Sequence, residues 1–197
     1  MKIVCIGDSL TYGFGTSGNW AWPYIASQKL GISMINCGEN GEMTSEMVCR
    51  FYEDVVMVQP QMCVIMGGSN DLLQGVAVSE VMENIDRMVH KAMDANILPI
   101  IAIPPTIDGE MCGQMWYCAC GIEETLRRFE TYRRMLIEYC AKDKLMFIDF
   151  MEEYPKKMHA AGYQQLYIDG THPTKWGYMK MAEIFCEKME DVIKSSE

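Results

Sequence analysis

Four short segments of this chain carry the residue types that acyl transfer requires. In Gly7-Asp8-Ser9-Leu10-Thr11, Ser9 stands just past the first apolar run, where its hydroxyl is free to act as a nucleophile. In Asp169-Gly170-Thr171-His172-Pro173, His172 follows a carboxylate by three residues. Within a turn, that spacing lets Asp169 accept from one imidazole nitrogen while the other faces outward. A general base needs this arrangement, because the carboxylate selects the tautomer and stabilises the imidazolium that forms. His90 lies inside a helical pattern and His159 in a polar segment, so neither is placed for this role. Gly41, in the segment Asn36 to Thr44, leaves a main-chain N–H free of side-chain cover, and Asn70, in Gly67-Gly68-Ser69-Asn70-Asp71, supplies an amide. With the N–H of Ser9 these make three donors for an oxyanion. Each segment also has a plainer structural reading: serine and asparagine as turn formers, glycine for positive φ, Asp169 as a helix cap.

The intervening pattern supplies elements to position these groups. Short apolar runs bounded by Gly, Asn or Asp read as buried strands: Ile3 to Ile6, Ser33 to Cys37, Met62 to Met66, Ile97 to Ile103 and Met146 to Ile148. Helical spacing marks Trp22 to Leu30, opened by Pro23 and closed by Gly31, then Thr44 to Val58, Val81 to Met93, Glu123 to Ala141 and Pro173 to Ile193. Strand alternates with helix throughout, which predicts one parallel sheet with helices on both faces. Reactive groups of such sheets gather at the carboxyl ends of the strands, beside the point where strand order reverses.

The four segments, in this order and spacing, resemble the GDSL or SGNH hydrolases, a family of esterases and lipases. Gly7-Asp8-Ser9-Leu10 is similar to that family's first block, Gly41 to its second, Gly68-Ser69-Asn70-Asp71 to its third and Asp169-Gly170-Thr171-His172 to its last. The resemblance spans nearly the whole chain. It implies a single domain over residues 1–197 with a flavodoxin-like, three-layer α/β/α fold and a five-stranded parallel sheet. It also implies a catalytic Ser9, His172 and Asp169, with an oxyanion hole of Ser9, Gly41 and Asn70. One departure is visible: the family often has Ser-Gly-Asp where this chain has Asn40-Gly41-Glu42. No G-x-S-x-G surrounds a serine, which separates the chain from the α/β-hydrolases.

Composition bounds the partners. The chain has 197 residues, 49% of them apolar, enough for one domain with a full core. A net charge of -10 argues against nucleic acid and anionic membrane surfaces, because phosphate binding requires a basic face. The longest apolar stretch, Ile97 to Pro105, is too short for a membrane span. Nine cysteines leave at least one thiol unpaired, and no segment reads as a signal peptide, so a cytoplasmic protein with reduced thiols is expected. Cys112, Cys118 and Cys120 lack the paired spacing of zinc sites, so neither metal nor cofactor is expected.

Gly13-Phe14-Gly15-Thr16-Ser17-Gly18 matches the dinucleotide fingerprint, with Glu39 at a suitable distance. The Rossmann glycines, however, must begin at the end of the first strand, and Gly13 lies six positions beyond Gly7, with the next helix expected only near Trp22. Residues 104–121, unusually long for a strand-to-helix connection, form a lid or acyl-pocket wall, or else a packed loop or a homodimer contact. Trp20, Trp22 and Trp116 are the candidate pocket-rim residues. The substrate expected is a small acyl ester, short-chain or acetyl, the alternative being longer acyl chains of a lysophospholipase or thioesterase. The acidic charge favours neutral acyl donors over polyanionic ones such as acyl-CoA.

Overall fold

A computed structural model describes residues 1–159 and 166–194. Five strands, β1 (Lys2–Gly7), β2 (Ser33–Gly38), β3 (Met62–Met66), β4 (Leu98–Ile103) and β5 (Met146–Asp149), form one parallel sheet in the order β2-β1-β3-β4-β5. Beyond Lys2 at its start, β1 is buried along its length, and β3 throughout, as expected of central strands covered on both faces. Val4 and Ile6 point into a core made with α3 (Thr44–Phe51), α5 (Val78–Asp94) and α7 (Ile122–Asp143). Ile3 and Cys5 point the other way, toward α2 (Trp22–Leu30), α8 (Phe150–His159) and α9 (Lys175–Lys194). The strict alternation of a strand thus divides the apolar residues between two cores.

The five predicted strands and five long helices are present, with shifted ends. The helix predicted over Thr44 to Val58 is α-helical only to Phe51 and continues as a π-helical turn, Tyr52–Val56. The last helix begins at Lys175 rather than at Pro173, because Pro173 pairs instead with Tyr167 in an isolated antiparallel bridge. Four helices were not foreseen: α1 (Ser9–Tyr12), α4 (Ser69–Leu73), α6 (Gly109–Met115) and α8. The first three have seven residues or fewer, too short for a periodic pattern. α8 starts directly after β5 with Asp149 as its cap, accepting the Glu152 N–H at 3.0 Å, a start signal outweighed in the sequence by Pro155 and the two lysines after it, which interrupt the apolar pattern. His159, read as lying in a polar segment, closes α8.

Strand order reverses between β1 and β3. A one-turn helix, α1, leaves β1 at once, which corrects the expectation that the next helix starts near Trp22. The fingerprint glycines still lie beyond it: Gly13 caps the C-terminus of α1 and Gly18 opens a 3₁₀ turn to Trp20. Among the described residues no helix is long and apolar enough to cross a membrane.

Candidate active site

Ser9 is the first residue of α1, whose N-terminus is capped by Asp8: Oδ1 accepts the Leu10 N–H at 2.9 Å. His172 reaches the same point from the far end of the chain. The bridge between Tyr167 and Pro173 closes a turn, with the Ile168 N–H donating to the His172 carbonyl at 2.8 Å. Inside that turn Asp169 Oδ1 accepts the N–H groups of Thr171 (3.0 Å) and His172 (2.8 Å), while Oδ2 lies 2.7 Å from His172 Nδ1. Burial alone would raise the Asp169 pKa, but these bonds to His172 and Thr171 outweigh it and hold the carboxyl below its usual value. An ionised carboxylate only accepts, so Nδ1 carries the ring proton and Nε2 is left to accept. Nε2 lies 2.9 Å from Ser9 Oγ. Ser9, Asp169 and His172 are all buried, and the imidazole sits between the rings of Phe14 (4.3 Å between centroids) and Trp116 (5.6 Å).

Gly41 comes to the same cavity from the loop after β2, and Asn70 from the first turn of α4. Gly41 has φ +77°, which favours glycine, although a Cβ there would meet nothing within 4 Å. The Asn70 amide donates to the Glu42 carbonyl at 2.9 Å, which locks the side chain against the Gly41 loop and leaves its second N–H for the cavity. Asp71 ties this segment to the start of α3 by accepting from the Thr44 N–H (3.0 Å) and the Thr44 hydroxyl (2.6 Å). Burial raises the Asp71 pKa against those Thr44 bonds. Asp8 is also buried, and its Oδ2 has no hydrogen-bond partner. Burial, opposed by the Leu10 N–H and reinforced by the nearby Asp71 and Glu42, pushes Asp8 up to about 7.

The cavity encloses about 110 Å³ and is lined by Ser9, Gly41, Asn70, His172 and Trp116, with Phe14, Asn40, Leu73 and Thr171. The last four were not foreseen as lining residues, although Asn40 and Thr171 stand beside residues that were. Phe14 was hidden inside the glycine-rich segment read as a fingerprint, and Leu73 looks like any core leucine. Two of the three candidate tryptophans lie elsewhere. Trp22 is a correction: it is the first residue of α2, completely buried, and packs on Phe150 and Phe185 in the core of the α2, α8 and α9 face. Its large apolar ring is drawn into that core rather than to a rim. Trp20 is part of the 3₁₀ turn and outside the cavity lining, with Lys175 Nζ 5.0 Å from its ring centroid.

Residues 104–121 are pinned at several points. The Asp108 N–H donates to the Gly170 carbonyl (2.8 Å), the Ala119 N–H to the Leu73 carbonyl (2.9 Å), and Cys112 Sγ lies 3.5 Å from Thr171 Oγ1. Gly170, at φ +86°, passes so close to α6 that a Cβ would stand 2.3 Å from the Cys112 nitrogen. These contacts carry Trp116 onto His172. Burial pushes the Cys112 thiol up to about 11, which keeps it protonated, and no group of three or more His, Cys, Asp or Glu that could hold a metal occurs among the described residues.

Residues 5–180 match the GDSL-like Lipase/Acylhydrolase family. The chain is 22% identical to an acetylxylan esterase of Geobacillus stearothermophilus over 95% of its own length and 93% of that protein. An arylesterase of Vibrio mimicus is 26% identical over 59% of this chain and 62% of its own. Among solved structures, a protein of Desulfitobacterium hafniense DCB-2 assigned to the lipolytic G-D-S-L family superposes with a TM-score of 0.80 at 25% identity, covering 95% of this chain and 98% of that one. A match that runs through the sheet and reaches into the last helix covers the fold and every segment that lines the cavity, so the chain belongs to the GDSL-like lipase/acylhydrolase family of ester hydrolases.

Proposed function

We propose that the protein hydrolyses short-chain carboxylic esters through a Ser9 acyl-enzyme. The observation that carries this is the continuous hydrogen-bonded line from Asp169 through His172 to Ser9, ending at the floor of a small cavity. In the first step His172 Nε2 takes the Ser9 proton while Oγ attacks the ester carbonyl. Negative charge forming on the carbonyl oxygen is met by the N–H groups of Ser9 and Gly41 and the free amide hydrogen of Asn70. His172, now an imidazolium held by Asp169, passes its proton to the departing alcohol. Water then enters, gives its proton to His172 and attacks the acyl-enzyme; the imidazolium returns a proton to Ser9 Oγ as the acid leaves.

The cavity sets the acyl preference. Its volume of about 110 Å³ falls well below the roughly 300 to 1,000 Å³ of pockets for drug-sized ligands. Phe14, Leu73 and Trp116 supply its apolar wall, which suits an acetyl or similarly short group. We read residues 104–121 as that fixed wall, given how firmly they are tied to Gly170, Thr171 and Leu73. One observation favours longer acyl chains: Met111, Met115, Trp116 and Tyr117, all exposed, offer apolar surface on the segment that carries Trp116 to the cavity. All nine cysteines are free, which suits a reducing compartment.

The test is a panel of p-nitrophenyl esters from acetate to palmitate, run with acetylated sugars and acyl thioesters. Acetate and butyrate esters are expected to turn over fastest, and a fluorophosphonate is expected to label wild type but not Ser9→Ala. Unchanged hydrolysis by Ser9→Ala would overturn the mechanism, and a maximum at long chains would overturn the acyl preference.

A further inference from the structure

The three oxyanion donors come from the segments that follow three different strands, β1, β2 and β3, and one arginine outside the cavity ties the first two of those segments together. Arg50, on α3, binds both carboxylate oxygens of Glu42, with Nε 2.6 Å from Oε1 and a terminal nitrogen on Oε2. Its other terminal nitrogen pairs with Asp54. The nitrogen that meets Glu42 Oε2 also donates to the Gly7 carbonyl at 3.1 Å, an oxygen that receives the Glu39 N–H at 3.0 Å as well. Gly7 lies two residues before Ser9, Glu42 directly follows Gly41, and the Glu42 carbonyl anchors the Asn70 amide. One guanidinium therefore connects the strand end that carries the nucleophile to the loop that carries the second donor and seats the third.

We propose that Arg50, acting through its paired bonds to Glu42, is a positioning residue that sets the distance of the Gly41 N–H and the Asn70 amide from the carbonyl attacked by Ser9. The inference rests on the acyl-transfer reading above. Gly41 is exposed and the space where a Cβ would stand is open to 4 Å, so nothing packs on that side, whereas Glu42 beside it is tied through its carboxylate to Arg50 and through its carbonyl to Asn70. A bidentate arginine–carboxylate pair does this, because its planar fork defines both distance and orientation. The pair is sheltered, with side-chain exposures of 18% for Arg50 and 10% for Glu42, so solvent and salt loosen it little. Glu42 is one of the two positions, with Asn40, at which this segment departs from the family's Ser-Gly-Asp, and its side chain is the one that reaches Arg50 here. Oxyanion donors act at about 2.7 to 3.1 Å, and a misplacement of about 1 Å costs on the order of 10²-fold in rate.

The experiment compares wild type with Arg50→Ala, Arg50→Lys and Glu42→Gln on p-nitrophenyl acetate, each rate divided by the concentration of sites titrated to completion with a fluorophosphonate. Glu42→Gln preserves size and one acceptor, so it reports even if the arginine variants fold poorly. The expected result is a kcat per titrated site lowered about 10- to 100-fold in Arg50→Ala and about tenfold in the other two, with KM changed less than about threefold. The inhibition constant of phenylboronic acid, which forms a tetrahedral adduct, rises by the same factor as kcat falls. If fewer sites titrate while kcat per site stays within about threefold of wild type in all three variants, Arg50 only supports the fold and the proposal is overturned. A wild type that the fluorophosphonate does not label would instead overturn the acyl-transfer reading.

Discussion

Replacing Asp169 by asparagine separates a catalytic role from a structural one, because the amide keeps nearly every contact the carboxylate makes. Oδ1 of Asp169 accepts two backbone N–H groups, from Thr171 at 3.0 Å and His172 at 2.8 Å. In Asp169→Asn those donors hold the amide oxygen, which turns the NH₂ toward Nδ1 across the 2.7 Å now spanned by Oδ2. Nδ1 must then accept, so the ring proton moves to Nε2, the nitrogen that faces Ser9 Oγ at 2.9 Å. A protonated Nε2 cannot take the serine proton. The corresponding change of tautomer in a Ser-His-Asp triad lowers kcat about 10⁴-fold, which at 1.36 kcal/mol per tenfold is about 5.4 kcal/mol of barrier. Loss of a hydrogen bond to a charged group costs only about 1.5 to 3 kcal/mol of stability, so the protein stays folded. The assay is kcat on p-nitrophenyl acetate at pH 7.5, with circular dichroism and a thermal melt as the control for folding. A folded Asp169→Asn protein within about tenfold of wild-type kcat would refute the tautomer argument.

Two further outcomes are expected. Asn70→Ala removes one oxyanion donor and should lower kcat by about 10² to 10³ with KM and circular dichroism unchanged; a loss below about threefold would contradict that role. Asp8 should make stability fall as pH rises. Buried Asp8 holds its proton up to about 7 whereas the unfolded chain releases it near 3.8, so the native state binds the extra proton in between. The stabilisation from its neutral form, on the order of 4 kcal/mol, is complete below about pH 4 and gone above about pH 7. Asp8→Asn lacks this slope, so the melting temperature of wild type should fall relative to that of Asp8→Asn from pH 4.5 to 7.5. A constant difference would show that Asp8 does not titrate in this window.

Local information carried a good deal. Strand and helix periods are properties of neighbouring residues, so the order of the main elements could be read from apolar spacing, and parallel pairing followed from their alternation. Asp169 and His172 are three positions apart, close enough for a single turn to bring their side chains together. Pro23 and Gly31 bound α2 as those residues do wherever a helix starts and stops. Elements without a period of their own escaped, among them α1, α4 and α6, and so did α8, where Pro155 and the lysines after it interrupt the apolar pattern.

Contacts made across the fold had no signature in the sequence. Ser9 and His172 are 163 positions apart and meet because β1 sits at the reversal of strand order while the Tyr167–Pro173 bridge returns the chain to its end. Three tryptophans of the same chemistry took different fates: Trp22, in α2, packs into the core, Trp20 ends an exposed turn, and Trp116, at the end of α6, stands against His172 in the cavity. Arg50 reads in sequence as an ordinary surface residue of an amphipathic helix. Only the packing of α3 beside β1 aims its guanidinium at Glu42 and the Gly7 carbonyl. Residue types and their order along the chain specify which chemistry is at hand; folding brings the groups into one cavity, because distance through space follows strand order and packing rather than position in the chain.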